Sequence, residues 1–156
     1  MPSNPFFSFE QPEQNPGFLL WQVSMAWQRQ LKQSLDPLGI TLTQFVLLAG
    51  VQWLTRADAP CTQKELATYA NTDPMMTSKV LRTLQAKGLV ARTEDERDSR
   101  AKTIRLTPAG QSMHHEAMKR VEQADAQFFQ PLGQRMAQLL PLLEDLYRGL
   151  GSQLQP

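Results

Sequence analysis

Residues 62–107, TQKELATYANTDPMMTSKVLRTLQAKGLVARTEDERDSRAKTIRLT, decide the fold. Thr62 and Glu65 are spaced as a capping box, in which each side chain takes up a backbone N–H left free at a helix start. They predict a short helix with Leu66, Ala67 and Ala70 turned inward. Asn71-Thr72 predicts a tight turn, after which Asp73 as N-cap and Pro74 at the first helical position open another helix. That helix runs to Lys87 and stops at Gly88, because glycine accepts the left-handed backbone that closes a helix. Leu89 to Thr93 and Lys102 to Leu106 read as two strands around a charged tip, Glu94 to Arg100. Two short helices, a tight turn and a hairpin, in that order, make a winged helix-turn-helix.

The helix after the turn divides its faces. Thr77, Val80, Leu81 and Leu84 recur at helical spacing and form the core stripe. Met75, Ser78, Lys79 and Arg82 recur on the opposite side, offering an apolar contact, a hydroxyl and two cations. These are the groups needed for base edges and phosphates in a major groove. At the hairpin tip, Arg97 and Arg100 alternate with acids, and an arginine there suits a narrow minor groove, where negative potential is focused. The plainer readings are a solvated helix face and a hydrophilic turn.

The flanks are helical. Leu20, Val23, Trp27, Leu31 and Leu35 recur at three- and four-residue steps, so Phe18 to Leu35 is expected as a helix stopped by Pro37 and Gly39. Thr41 and Gln44 form a second capping box before Phe45 to Leu54, which is apolar almost all round. Thr107-Pro108 opens a long helix to about Phe129. A last one, from about Leu132 to Leu150, carries a dense stripe of Met136, Leu139, Leu140, Leu143, Leu146 and Leu150, with Pro131 and Pro141 as its start and a kink. Residues 1–16 hold four prolines and read as an irregular arm. The expected class is therefore mainly α with a small β-hairpin wing: a winged helix lobe over 41–107 and a helical dimerisation region over 17–40 and 108–156.

Composition agrees. A hydrophobic share of 41% supports a real core, and the single cysteine, Cys61, cannot pair within the chain. Met1 to Pro16 lacks the basic and apolar regions of a secretory signal, and no apolar run reaches membrane-spanning length, so a cytoplasmic protein is expected, with no membrane partner. Net charge is only +1, but Thr62 to Arg105 hold nine basic and six acidic residues, leaving the rest of the chain at −2. A positive middle on a slightly negative frame is a modest phosphate-binding footprint.

The chain resembles the MarR family of bacterial transcription regulators. The resemblance rests on LDPLGIT (35–41) with Gln44-Phe45, KELA (64–67), LRTLQAKGLVAR (81–92), Asp98-Ser-Arg100 and LTPAG (106–110), in order and without gaps. It implies that Asp98 orients Arg100 into the minor groove, and that Met75, Met76, Ser78 and Lys79 are the reading positions, with Arg82 near the backbone. Adjacent methionines depart from the small polar residues of many relatives, which leaves the sequence read open. The resemblance also implies a homodimer built from the first, fifth and sixth helices, and the broad stripe of the last helix points the same way. Such a dimer reads a pseudo-palindromic operator in double-stranded DNA, with half-sites about 10 bp apart.

Many relatives bind a small aromatic or phenolic effector between the dimer helices and the reading lobe. Trp21, Met25 and Trp53 are the candidates here, with ordinary core packing as the alternative. The expected function is thus a transcription regulator, a repressor released by such an effector. Two alternatives stand: a thiol-based redox sensor through Cys61, which precedes a helix N-terminus, a position that can lower a thiol pKa, and a winged helix that binds protein and not DNA. No enzyme is expected, since there is no phosphate loop or nucleophile elbow. No cofactor is expected either. His114-His115 point about 100° apart on a helix and have no third ligand in the sequence, so they read as a solvated face and metal is not expected.

Overall fold

The computed structural model describes residues 11–94 and 102–150. Helix α1 spans Pro16–Leu35; Asn15 accepts the Phe18 N–H at 3.1 Å, so the helix begins two residues before Phe18. A 3-10 turn, Pro12–Gln14, precedes it inside the arm expected to be irregular. A second such turn, Asp36–Leu38, and Gly39 at φ 67° end the helix. Helix α2 is Leu42–Leu54, and its capping box forms as expected: the Gln44 N–H donates to Thr41 Oγ1 at 3.1 Å and the Thr41 N–H to Gln44 Oε1 at 3.3 Å.

Helix α3 is Gln63–Ala70, opened by the Thr62–Glu65 box. Asn71 takes the left-handed conformation at φ 49°, and Asp73 caps α4, Pro74–Ala86, by accepting the Met76 N–H at 2.8 Å. After Gly88 at φ 71°, strands β1 (Val90–Glu94) and β2 (Lys102–Leu106) pair antiparallel, with Val90 opposite Leu106 and Arg92 opposite Ile104. The hairpin has a third neighbour that the sequence did not suggest. Thr62 bridges Thr103, and the Ile104 N–H donates to the Cys61 carbonyl at 2.8 Å, so the chain entering α3 lies along β2.

Helix α5, Pro108–Phe129, starts at Thr107, whose hydroxyl accepts the Gly110 N–H at 3.0 Å and donates to the Gly88 carbonyl at 2.6 Å. The Thr107 N–H also reaches the Leu89 carbonyl at 3.1 Å. These bonds clamp the base of the wing to the start of α5. One cluster of buried side chains, including Leu31, Leu35, Leu48, Leu66, Leu81 and Ile104, runs under the whole lobe. Helix α1 lies against α5, where Trp27 Nε1 donates to Asp125 at 2.7 Å and Gln30 Nε2 to the Ala124 carbonyl at 2.8 Å.

Helix α6 begins at Met136, later than expected, because Pro131 and Gly133 (φ 50°) hold Gln130–Arg135 in a 3-10 turn. It continues through Pro141 to Leu150. The apolar positions at the two ends of the chain are not core. Leu20 is 60% exposed, Val23 is also exposed, and no residue of α6 is buried. Helical spacing marks an apolar face but does not say what covers it. Among the described residues, no single helix is long and apolar enough to cross a membrane.

Candidate nucleic-acid interface

Packing divides α4 as its periodicity requires. Thr77, Leu81 and Leu84 are buried and Val80 is half-buried against the cluster. On the other side Met75 is 83% exposed, Met76, Lys79 and Arg82 are exposed, and Ser78 is half-buried. Thr77 brings a hydroxyl into the core, where an unpaired polar group would be costly. Its single proton goes to the Asp73 carbonyl at 2.9 Å, so the 2.7 Å contact with Thr72 must have Thr72 as donor. Those two bonds tie the turn to the helix. At the far end Lys87 donates to the Gly39 carbonyl at 2.6 Å and to Gln44 Oε1 at 3.2 Å, which pins the end of α4 to the start of α2.

The base of the wing carries a cation, Arg92, to which the sequence assigns no site role. Arg92 lies opposite Ile104, whose side chain is buried, so both project from the same face of the hairpin toward the helices. Its guanidinium donates to Gln63 Oε1. Burial, and then the neighbouring charge of Arg82, push its pKa below the usual arginine value. A cationic pair of α4 and β1 thus stands beside the exposed face of α4. The tip residues Arg97, Asp98 and Arg100 lie outside the described residues.

The proposed effector residues are placed apart from one another in kind. Trp21 and Met25 sit on the exposed half of α1, one helical turn apart. Trp53 is 54% exposed near the end of α2, and Arg56 stacks its guanidinium 3.8 Å above the ring. Arg56 lies past the end of α2, in the turn that follows it, where its guanidinium also donates to the Trp53 carbonyl. An open cavity of about 600 Å³ between α1 and α5 is lined by Ala26, Arg29, Gln30, Gln33, Ser34 and Gln127, and by none of the three candidates.

Cys61 is not poised as a sensor. The side chain is 0% exposed, and burial, with the charge of Glu65 second, pushes the thiol from its ordinary 9.0 up to about 11. Desolvation therefore outweighs any lowering by the helix N-terminus. Below pH 9 the thiol is neutral in both folded and unfolded chains and costs nothing. Between about 9 and 11 only the unfolded chain ionises, so stability falls by roughly 2–3 kcal/mol. Urea unfolding of the wild type and Cys61→Ala across that range should show this loss in the wild type alone.

His114 also departs from expectation. It is half-buried and stacks on Phe45 with ring centres 6.4 Å apart, while His115 is exposed. Burial and then the neighbouring His115 lower its pKa. Among the described residues no group of three or more His, Cys, Asp or Glu is placed to hold a metal ion.

The model of the MarR family matches residues 40–102 of the chain. The HTH-type transcriptional regulator YdcH of Bacillus subtilis is 38% identical over 121 residues, which are 78% of this chain and 82% of the relative. The HTH-type transcriptional repressor Rv2887 of Mycobacterium tuberculosis is 33% identical over 110 residues, 70% of this chain and 76% of that one. Its crystal structure in complex with salicylic acid overlays with a TM-score of 0.66 at 30% identity, covering 85% of this chain and 96% of that one. The apo crystal structure of MarR from E. coli gives a TM-score of 0.72 at 27% identity, again over 85% and 96%.

Proposed function

The chain belongs to the MarR family of helix-turn-helix transcription regulators, and from that premise we propose that it is a homodimeric, sequence-specific DNA-binding repressor of the cytoplasm, released by a small aromatic effector. The observation that carries this reading is the division of α4 into a buried stripe and an outer face of exposed Met75, Met76, Lys79 and Arg82 with half-buried Ser78. Met75 and Met76 supply apolar contact to base edges, Ser78 a hydroxyl and Lys79 a cation at the reading positions, and Arg82 charge near the phosphate backbone. Asp98 and Arg100 serve in the wing, Asp98 holding Arg100 for the minor groove, and Arg97 adds charge beside them. The lobe is 41–107. The exposed apolar faces of α1 and α6, within 17–40 and 108–156, support dimerisation, since a lone chain would leave them in water. A two-fold dimer places two α4 helices about one DNA turn apart, on the order of 34 Å, and so reads a pseudo-palindrome.

Selection from a random DNA pool tests this directly and is expected to return two half-sites about 10 bp apart. Lys79→Ala combined with Arg100→Ala should weaken binding to the selected duplex about 100-fold, from the loss of one cation of the reading face and one minor-groove contact. Unchanged capture of mixed-sequence DNA by that variant overturns the DNA-reading function and favours a protein-binding winged helix.

Salicylic acid in the Rv2887 complex supports an aromatic acid as the effector class. Trp53 with the Arg56 guanidinium above it offers an aromatic face beside a cation, and Trp21 and Met25 offer apolar surface on α1. Salicylic acid should quench tryptophan fluorescence and release the selected duplex; no change in either signal counts against the effector.

A further inference from the structure

Gln63 opens α3 and touches both elements that would meet DNA. Its amide nitrogen donates to the Pro74 carbonyl, in the first turn of α4, at 3.3 Å. Its amide oxygen accepts from the Arg92 guanidinium on β1. The orientation of the amide follows from the partners: arginine only donates and a backbone carbonyl only accepts, so oxygen must face Arg92 and nitrogen Pro74. The backbone puts the residue there. Thr62, one position earlier, is bridged to Thr103 of β2, so the start of α3 is fixed against the base of the wing. Arg92 in turn is held by its register opposite the buried Ile104.

We propose that Gln63 is a positioning residue: it fixes the first turn of α4 relative to the wing and so sets the sequence preference of the protein without touching a base. The proposal rests on the DNA-reading function above. Its physical basis is leverage. The Pro74 carbonyl belongs to the residue just before Met75 and Met76, the deepest-reaching positions of α4. A turn of the helix about its axis at Pro74 moves both methionines across the base edges. Packing of Leu81 and Leu84 restrains the later turns of α4 but lies about two to three turns away from Pro74. The first turn is held by the Asp73 cap on the Met76 N–H, by the Thr72 and Thr77 hydroxyls, and by Gln63 from α3. Among the described residues, Gln63 is the one of these that also holds a residue of the wing. A base contact is directional, so a small displacement discriminates against it, whereas a phosphate contact tolerates the same shift.

The test uses the full chain and two duplexes of equal length at one salt concentration: the sequence selected by the wild type, and a scrambled version. Gln63→Ala should lower the ratio of the two affinities about tenfold, leave binding to scrambled DNA within about twofold, and leave the melting temperature nearly unchanged. Gln63→Glu keeps the bond to Arg92 but sets a carboxylate oxygen against the Pro74 carbonyl, and should lose the ratio equally. In the cycle with Arg92→Ala, the double variant should lose no more of the ratio than Arg92→Ala alone. An unchanged ratio in Gln63→Ala, or a wild-type ratio in Gln63→Glu, overturns the proposal. So does an equal fall on both duplexes, which marks a phosphate contact or a folding defect. If the wild type selects no sequence at all, the DNA-reading function itself fails, and this proposal with it.

Discussion

Gly110→Ala is expected to destabilise the protein by about 3 kcal/mol and to lower its melting temperature by roughly 10 °C. A Cβ on Gly110 would stand 1.9 Å from the Leu89 carbonyl oxygen and 2.9 Å from its carbon. Both are backbone atoms, so no side-chain rotation relieves the contact. Relief requires α5 to move away from the start of the hairpin, and that movement breaks the bonds from Thr107 to the Gly88 and Leu89 carbonyls. Alanine favours a helix over glycine by about 1 kcal/mol, a gain too small to reverse the sign. Gly149→Ala in α6 is the control, because a Cβ there meets nothing within 4 Å. Thermal unfolding at one protein concentration, which matters for a dimer, should separate the two variants. Equal shifts would show that the wing base is not clamped as described. The Gly110 variant should also lose DNA affinity at temperatures where it is still folded, since its wing sits on a displaced base.

Charging the outer face of α6 should have a larger effect on assembly. Leu143→Asp with Leu146→Asp places two carboxylates on one helical face that is exposed in the single chain. If that face is buried between subunits, the pair removes two leucines from each copy. Each buried leucine is worth about 1.5–3 kcal/mol, so the dissociation constant should rise by at least about a thousandfold. Sedimentation should then find monomers at concentrations where the wild type is dimeric. Affinity for the two-half-site duplex should fall with it, because the second half-site no longer binds as part of one molecule. The fold of the lobe should survive, since no residue of α6 is buried in the single chain. A variant that remains dimeric would place the interface elsewhere. The ion pairs of Arg148 with Glu144 and Asp145 on the same helix are exposed and are expected to contribute little to either state.

Much of the fold was legible before any coordinates, and the legible parts share one property: they are short-range. The capping boxes at Thr41–Gln44 and Thr62–Glu65, the Asp73-Pro74 start, the Gly88 stop and the divided faces of α4 all depend on residues within about one or two helical turns. Their chemistry is complete in the local sequence, so they can be read from it. The end points that moved most, at Pro16, Leu42 and Met136, are places where a cap or a neighbouring turn extends or delays the local pattern.

The rest needed the folded chain. Periodicity marked Leu20, Val23 and the α6 leucines as apolar faces, but only packing showed Leu20, Val23, Leu140, Leu143 and Leu146 exposed among the described residues. A position before a helix can lower a thiol pKa, but burial of Cys61 raises it instead, which only the folded chain shows. Gly110 looked like part of a motif, and the reason it must lack a side chain is a carbonyl 21 positions earlier in the chain. Gln63 and Arg92, 29 residues apart, drew no attention as a pair until the hairpin folded back on α3. Caps and periods are written in neighbouring residues. Which distant groups meet, and what water they lose when they do, depends on how the helices and hairpin stack.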